Sequence, residues 1–177
     1  MSIPHMMLNG WRRFLTKFAV SPPRPTLLED VGDTYRAELV LAARCTEHAQ
    51  RMYYPQLRTD LLRIAAEVRA HLPWLQEQIL GLGGHLPSSS PTLILGGNNW
   101  ECLRRDVEEA RQGGIRVLDS IHRAERDHPR IAAGLQRIRK DKLRHREEFR
   151  RMMMKSDPSA IPAPRPRHAE EMQEKHA

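Results

Sequence analysis

The chain has 177 residues, 40% of them apolar and only 5% aromatic, a balance that favours one helical domain with a sizeable core over a β-sandwich. No apolar run approaches the roughly 20 residues that cross a bilayer, and no secretory leader is visible. Cys45 and Cys102 lie far apart and outside any CxxC spacing, so we expect a buried, reduced, intracellular pair. The net charge of +7 leaves room for anionic partners.

The N-terminal segment, residues 1–25, predicts a short basic amphipathic helix followed by a stiff proline-rich linker. Its aromatic residues share one helical face, and its basic residues lie off that face. We expect the segment to dock on an acidic membrane or on a partner protein. Packing back on its own bundle is the alternative, and the sequence does not separate the two. The predicted docking residues are Trp11, Arg12, Arg13, Phe14, Lys17 and Phe18.

The predicted core domain, residues 26–155, begins with a capping box at Thr26 and Glu29, which marks the start of the first helix. Apolar residues then recur at spacings of three and four as far as Met52, and Glu38 lies in the middle of this stripe. A lone buried carboxylate is costly, so we expect Glu38 to have a partner. The short turn that follows predicts a second helix antiparallel to the first.

The second helix is predicted to run as one element from Leu61 to Gly84. His71 occupies the middle of its apolar stripe, where leucine would be expected. Pro73 is expected to remove one backbone hydrogen bond and to allow a kink. The polar, Pro/Ser/Gly-rich connection that follows, residues 85–99, reaches about 50 Å when extended. It can therefore run the length of the bundle instead of making a hairpin.

The third helix is predicted over about residues 99–125, with Asp106 on its inner side. Gly113 and Gly114 weaken it locally and allow a neighbour to approach closely. The sequence Asp-His-Pro at 127–129 then breaks the chain, and its proline suits the first turn of a fourth helix. We therefore expect the third and fourth helices to be separate elements joined by a short turn.

The fourth helix carries Lys142 and His145 on its inner stripe. Residues 129–155 contain ten Lys/Arg and three acidic residues, which makes this segment strongly basic. We interpret the charge as the solvated side of an amphipathic helix, because no aromatic residues interleave the arginines to stack on bases. Residues 156–177 are rich in proline and predict an extended tail outside the core.

Four long helices with inward acids and histidines resemble the ferritin-like superfamily, nearest to bacterioferritin or rubrerythrin, over about residues 26–155. In that family two helices each give a Glu and two each give Glu-x-x-His, and together they hold two irons. The segment Glu38-Leu-Val resembles the first-helix ligand region, and Leu103-Arg-Arg-Asp106 resembles the third-helix motif. If metal were bound, the resemblance implies as ligands Glu38, His71 and His145, together with Asp106 or Glu109.

The sequence departs from the family at the bridging carboxylates. Val68 stands three residues before His71, Lys142 stands three residues before His145, and Ala110 best fits the third-helix ligand position. Acids do lie four residues before each histidine, at Glu67 and Asp141, but off the predicted inner stripes. The departures imply a degenerate diiron site that holds no metal. In its place we expect a buried polar cluster of Glu38, His71, Asp106, Lys142 and His145, with Lys142 paired to Glu38.

These expectations favour a non-catalytic structural or interaction subunit without a cofactor, docked on a larger, membrane-bound complex or on an anionic surface. The alternative is a ferritin-like oxidoreductase or iron-handling protein with an altered iron site. A basic nucleic-acid-binding protein is a third and less favoured reading. We expect a cytoplasmic protein, with a peripheral position on the cytoplasmic face of a membrane left open.

Overall fold

The computed structural model describes residues 26–86 and 96–156, and in these two ranges the chain is helical and contains no strand. Five helices follow one another within these two ranges. They are α1 (Leu27–Arg51), α2 (Pro55–Arg69), α3 (Leu72–Gly81), α4 (Asn99–Ala124) and α5 (Pro129–Lys155). Both α2 and α3 pack against α1, and together they occupy the place of one long helix. The all-α class predicted from composition and periodicity is confirmed.

The start of α1 is set by a capping box. The Thr26 hydroxyl accepts a hydrogen bond from the Glu29 backbone N–H (3.2 Å), and the Glu29 carboxylate accepts one from the Thr26 backbone N–H (2.6 Å). These bonds satisfy two backbone donors that would otherwise have no partner in the first turn. At its other end α1 stops at Met52, and Tyr54 precedes the proline that opens α2.

The predicted second helix is wrong in two respects. It begins earlier, at Pro55, and it is not continuous: α2 ends at Arg69 and α3 begins at Leu72. Pro73 is the second residue of α3. Backbone N–H groups in the first turn of a helix have no intrahelical acceptor, so a proline there costs no hydrogen bond within α3. Ala70 and His71, between the two helices, keep right-handed helical dihedral angles, so the interruption at Pro73 is local, and His71 is the residue that precedes α3.

Ion pairs between α1 and α4 give the direction of α4. Asp30, near the start of α1, bonds Arg123 near the end of α4, with two contacts of 2.6 Å. Arg44, near the end of α1, bonds Asp106 near the start of α4. Helix α4 is therefore antiparallel to α1 and parallel to α2 and α3. The residues that join α3 to α4, 87–95, lie outside the described ranges.

The apolar core is divided into two clusters. One lies around the second half of α1, α2 and the end of α5, and it includes Leu61 and Phe149. The other lies around the start of α1, α3, the end of α4 and the start of α5, and it includes Leu75 and Leu135. Both cysteines are buried and unpaired, as expected. Within the described ranges, no helix combines the length and apolar character that crossing a bilayer would need.

Trp74 of α3 packs against α5 at a position that only glycine allows. Its indole ring occupies the space in which a side chain at Gly134 would begin. The contrast is Gly114 in α4, where an added methyl group would meet nothing within 4 Å. Gly134 is thus a packing requirement, whereas Gly114 is not.

We expect Gly134→Ala to be about 1–3 kcal/mol less stable than Gly114→Ala, because the new methyl group displaces the indole ring. Gly114→Ala should be neutral or stabilising by up to about 1 kcal/mol, through lower backbone entropy in the unfolded chain. Urea denaturation followed by circular dichroism measures both. Equal stability of the two variants would show that Trp74 does not lie on Gly134.

Candidate functional site

A layer of polar side chains separates the two apolar clusters, and we call it the polar layer. It takes Glu38 from α1, His71 from the break between α2 and α3, and Lys142 and His145 from α5. Glu38 and His145 are fully buried, and Lys142 is 3% exposed. Charged groups so far from water need partners inside the protein, so their contacts define what this layer can do.

Lys142 and Glu38 form an ion pair across the middle of the bundle, from the Lys142 ammonium to Glu38 Oε1. Helix α4 makes room for it at Gly113, where an added Cβ would lie 3.1 Å from the Lys142 Nζ. Burial by itself would raise the pKa of Glu38, but Lys142 and His71 outweigh burial and lower that pKa. Glu38 is therefore held as a carboxylate in the interior.

His71 bridges two carboxylates on two different helices. Its Nδ1 lies 2.7 Å from Glu38 Oε2, and its Nε2 lies 3.2 Å from Asp141 Oδ2. A neutral imidazole has one N–H, so only the protonated ring can donate to both acids. Partial burial would lower the pKa of His71, but Glu38 and Asp141 outweigh that effect and raise it. The geometry and the pKa both indicate an imidazolium.

His145 has a different partner, Glu67 of α2, whose Oε2 lies 2.8 Å from His145 Nε2. Glu67 also accepts hydrogen bonds from Arg63 (2.8 Å) and Arg144 (3.0 Å). Burial by itself would raise the pKa of Glu67, but hydrogen bonds from His145, Arg63 and Arg144 outweigh burial and lower that pKa to about 2. Burial lowers the pKa of His145, with Glu67 opposing it in part. This histidine is therefore suited to the neutral form.

The sequence analysis gave Glu67 and Asp141 no role, because both lie off the inner stripes of their helices. In the structure each meets a histidine: Asp141 bonds His71, and Glu67 bonds His145. The reason is the way α2 and α5 meet. Long charged side chains fill the space between these helices, so acids on the edges of both stripes reach the layer.

Asp106 does not belong to the polar layer, and the prediction of one cluster of five residues is wrong on this point. Its carboxylate bonds Arg44 Nε at 2.7 Å and His48 Nδ1 at 3.0 Å, between α1 and α4. Asp106 is seven residues, or about 10 Å along α4, from the glycine that faces Lys142. Arg44 and His48 were missed by the sequence analysis. The two residues are four positions apart on the helix that carries Glu38, so the sequence alone could have shown that they share one face of that helix.

Glu109, the alternative ligand on α4, also lies outside the layer. It forms an ion pair with Arg116 at 3.0 Å, and both side chains are substantially exposed. Its neighbour Ala110 is buried, at 1% exposure, as the stripe predicted. A carboxylate at position 109 is therefore turned towards solvent, because adjacent helix positions differ by about 100°.

An iron pair does not fit these residues. Val68 and Ala110 are buried apolar residues at positions where the family has carboxylates, and the Lys142 ammonium lies against Glu38. In residues 26–86 and 96–156, no three or more His, Cys, Asp or Glu side chains are arranged to hold a metal ion. Both ring nitrogens of His71 already bond carboxylates, so neither is open to a metal ion.

The predicted docking residues between Trp11 and Phe18 lie outside the described ranges, as do the proline-rich residues 157–177. Comparison of the sequence with models of known protein families and with curated proteins finds no match.

We expect Lys142→Met and Glu38→Gln each to destabilise the fold by about 3–5 kcal/mol, because each strands a buried charge. The double variant Glu38→Gln/Lys142→Met should lose less than the sum of the two single losses, because neither charge is then left alone. Arg144→Met is the control: the Arg144 side chain lies on the same helix and is 45% exposed, so the loss of its ion pair with Glu67 should cost about 1 kcal/mol or less. Chemical denaturation of the four variants measures the coupling. Strictly additive losses would mean that the two charges do not interact.

A second prediction concerns pH. His71 has a raised pKa in the folded chain, so it stabilises the fold below its ordinary value of about 6.5. That stabilisation is lost as the pH rises through the raised pKa. We expect the free energy of unfolding to decline as the pH rises from about 6.5 through the raised pKa of His71, and His71→Gln to remove this decline. His145→Gln is the control, because its lowered pKa acts on the acid side. An unchanged decline above pH 6.5 in His71→Gln would contradict the assignment.

Proposed function

We propose that this chain is a non-catalytic, ferritin-like structural or interaction subunit, in which an internal ion pair takes the place of a dinuclear metal centre. The observation that carries the proposal is the pair of Lys142 with Glu38 in the middle of the bundle. A metal centre balances the charge of buried carboxylates with cations. Here an ammonium group of the chain itself provides that balance.

The charges of the layer support this interpretation. The ammonium lies against the carboxylate that the resemblance names as a first-helix ligand, so a divalent cation would meet its repulsion at short range. The imidazole of His71 is engaged at both nitrogens. The layer thus satisfies most of its own donors and acceptors, which favours a structural role for it.

The directions of the helices support a ferritin-like path for the chain. Because α4 runs parallel to α3, the end of α3 and the start of α4 lie at opposite ends of the bundle. Residues 82–98 reach roughly 55 Å when extended, and α4 is about 40 Å long. We propose that this connection crosses the bundle from end to end.

The interaction part of the proposal rests on the segments on either side of the bundle. Residues 1–25 combine an aromatic face with basic residues, a composition suited to docking. Residues 157–177 are rich in proline. The partner would be a larger protein complex, membrane-bound or not, or an anionic surface at the cytoplasmic face of a membrane.

Metal analysis tests the proposal. Protein purified from iron-supplemented cells, then dialysed against Fe²⁺ without oxygen, should retain clearly less than one iron per chain. It should also show no oxidation of Fe²⁺ above the buffer rate. The control is His71→Ala/His145→Ala, which should give the same low metal content. Stoichiometric iron that is lost in this variant would overturn the proposal and favour the iron-handling oxidoreductase.

A further inference from the structure

We propose that the solvent face of α5 is a docking surface for an anionic lipid membrane. The proposal rests on the proposed function and names the partner class of its docking role. The surface consists of five exposed basic residues, which we call the basic row. Its members are Arg130, Arg137, Lys140, Arg151 and Lys155.

Helix geometry places the basic row on one side of α5. At 100° per residue its members fall within about 80° of one another, on one flank of the helix beside the buried stripe. From Arg130 to Lys155 the row is about 38 Å long. It therefore presents five cations in a nearly straight line along the outside of the bundle.

The acids near the basic row are bound to other cations. Glu148 pairs with Arg63, and Glu147 pairs with Arg146 and Arg150. Asp141 is bonded by His71 and Arg144. Within residues 26–86 and 96–156, no acidic side chain forms an ion pair with any member of the row. Acids do lie nearby: Asp60 and Glu148 line the same groove as Arg151 and Lys155, and Asp141 lines a groove with Arg137. The row is thus a surface of five cations without a direct ion pair, and these charges can attract anionic lipid headgroups.

The composition and length of this row favour a membrane over a nucleic acid. Phe149, the one aromatic residue of α5 among Phe, Tyr and Trp, is fully buried, so the helix offers no ring on which bases could stack. The row is about 38 Å long, and a bilayer of anionic lipids offers headgroups along that whole length.

The position of the N-terminal segment adds a second argument. Residues 1–25 join α1 at Thr26, and the start of α1 is bound to the end of α4 through Asp30 and Arg123. Helix α5 begins only five residues after α4 ends, so Thr26 lies at the Arg130 end of the row. The aromatic and basic composition of the N-terminal segment suits the headgroup region of a bilayer. Stable peripheral binding generally needs two such signals.

Vesicle flotation of the full chain tests the proposal. We expect binding to phosphatidylcholine vesicles that contain about 30% phosphatidylserine, weak binding to pure phosphatidylcholine, and a loss of binding as salt rises. Arg137→Glu/Lys140→Glu should lower the partition coefficient at least about tenfold. The control is Arg104→Glu/Arg105→Glu on α4, which makes the same change in net charge at exposed positions and should stay within about twofold of the natural chain. Thermal melts check that both variants are folded.

Several outcomes would overturn the proposal. They are equal losses in the two charge variants, no loss in either, or a loss of affinity for an RNA or DNA oligonucleotide without any vesicle binding. A chain lacking residues 1–22 that still binds in a salt-sensitive way, and still responds to Arg137→Glu/Lys140→Glu, supports the row as an independent contact. Absence of all vesicle binding overturns the membrane as partner. It leaves the metal-free subunit intact, since metal content decides that proposal separately.

Discussion

The burial of Lys142 against Glu38 is the constraint on which the rest of the structure depends. The ammonium reaches from α5 to α1 across the centre of the bundle, and it passes the backbone of α4 at Gly113, where a side chain would crowd it. Apolar residues of matched volume could fill the same space with equal or greater stability. What the ion pair adds is specificity, because shifting either helix by one turn, about 5.4 Å, would leave two charges unpaired in the interior. The division of the core into two apolar clusters follows from the same layer.

The break between α2 and α3 lies at this layer. His71 keeps right-handed helical dihedral angles as the residue before α3, and its ring lies between Glu38 of α1 and Asp141 of α5. Pro73 favours the start of a helix here, and the backbone N–H that a proline lacks has no intrahelical partner in a first turn. A local backbone rule thus places a bridging cation between two helices whose acids would otherwise repel one another.

The sequence predicted what local rules decide. The capping box at Thr26 and the inward positions of Glu38 and Lys142 follow from spacing alone, and the structure shows both features. The sequence did not predict which side chains would become partners, because the tertiary structure decides those contacts. Stripe analysis assumes that a helix buries one face and exposes the rest, but α2 and α5 meet through long charged side chains. Acids on the edges of those stripes therefore reach the histidines, and Asp106 bonds a different histidine, His48. Spacing on one helix cannot show which of several acids and bases on other helices will meet.

The charges inside and outside this bundle are arranged differently. In the interior they are matched: Lys142 and His71 face Glu38 and Asp141, and Arg44 faces Asp106. Such matching is required where water is absent, because an unpaired charge there costs several kcal/mol. The surface has no such requirement, so the excess of basic residues lies there, most of it along α5. Groups that satisfy one another offer little to a substrate, whereas groups with no internal partner remain available for external contacts. Burial thus decides where charge must be matched, and it leaves the basic side chains without a direct ion pair on the exposed part of α5.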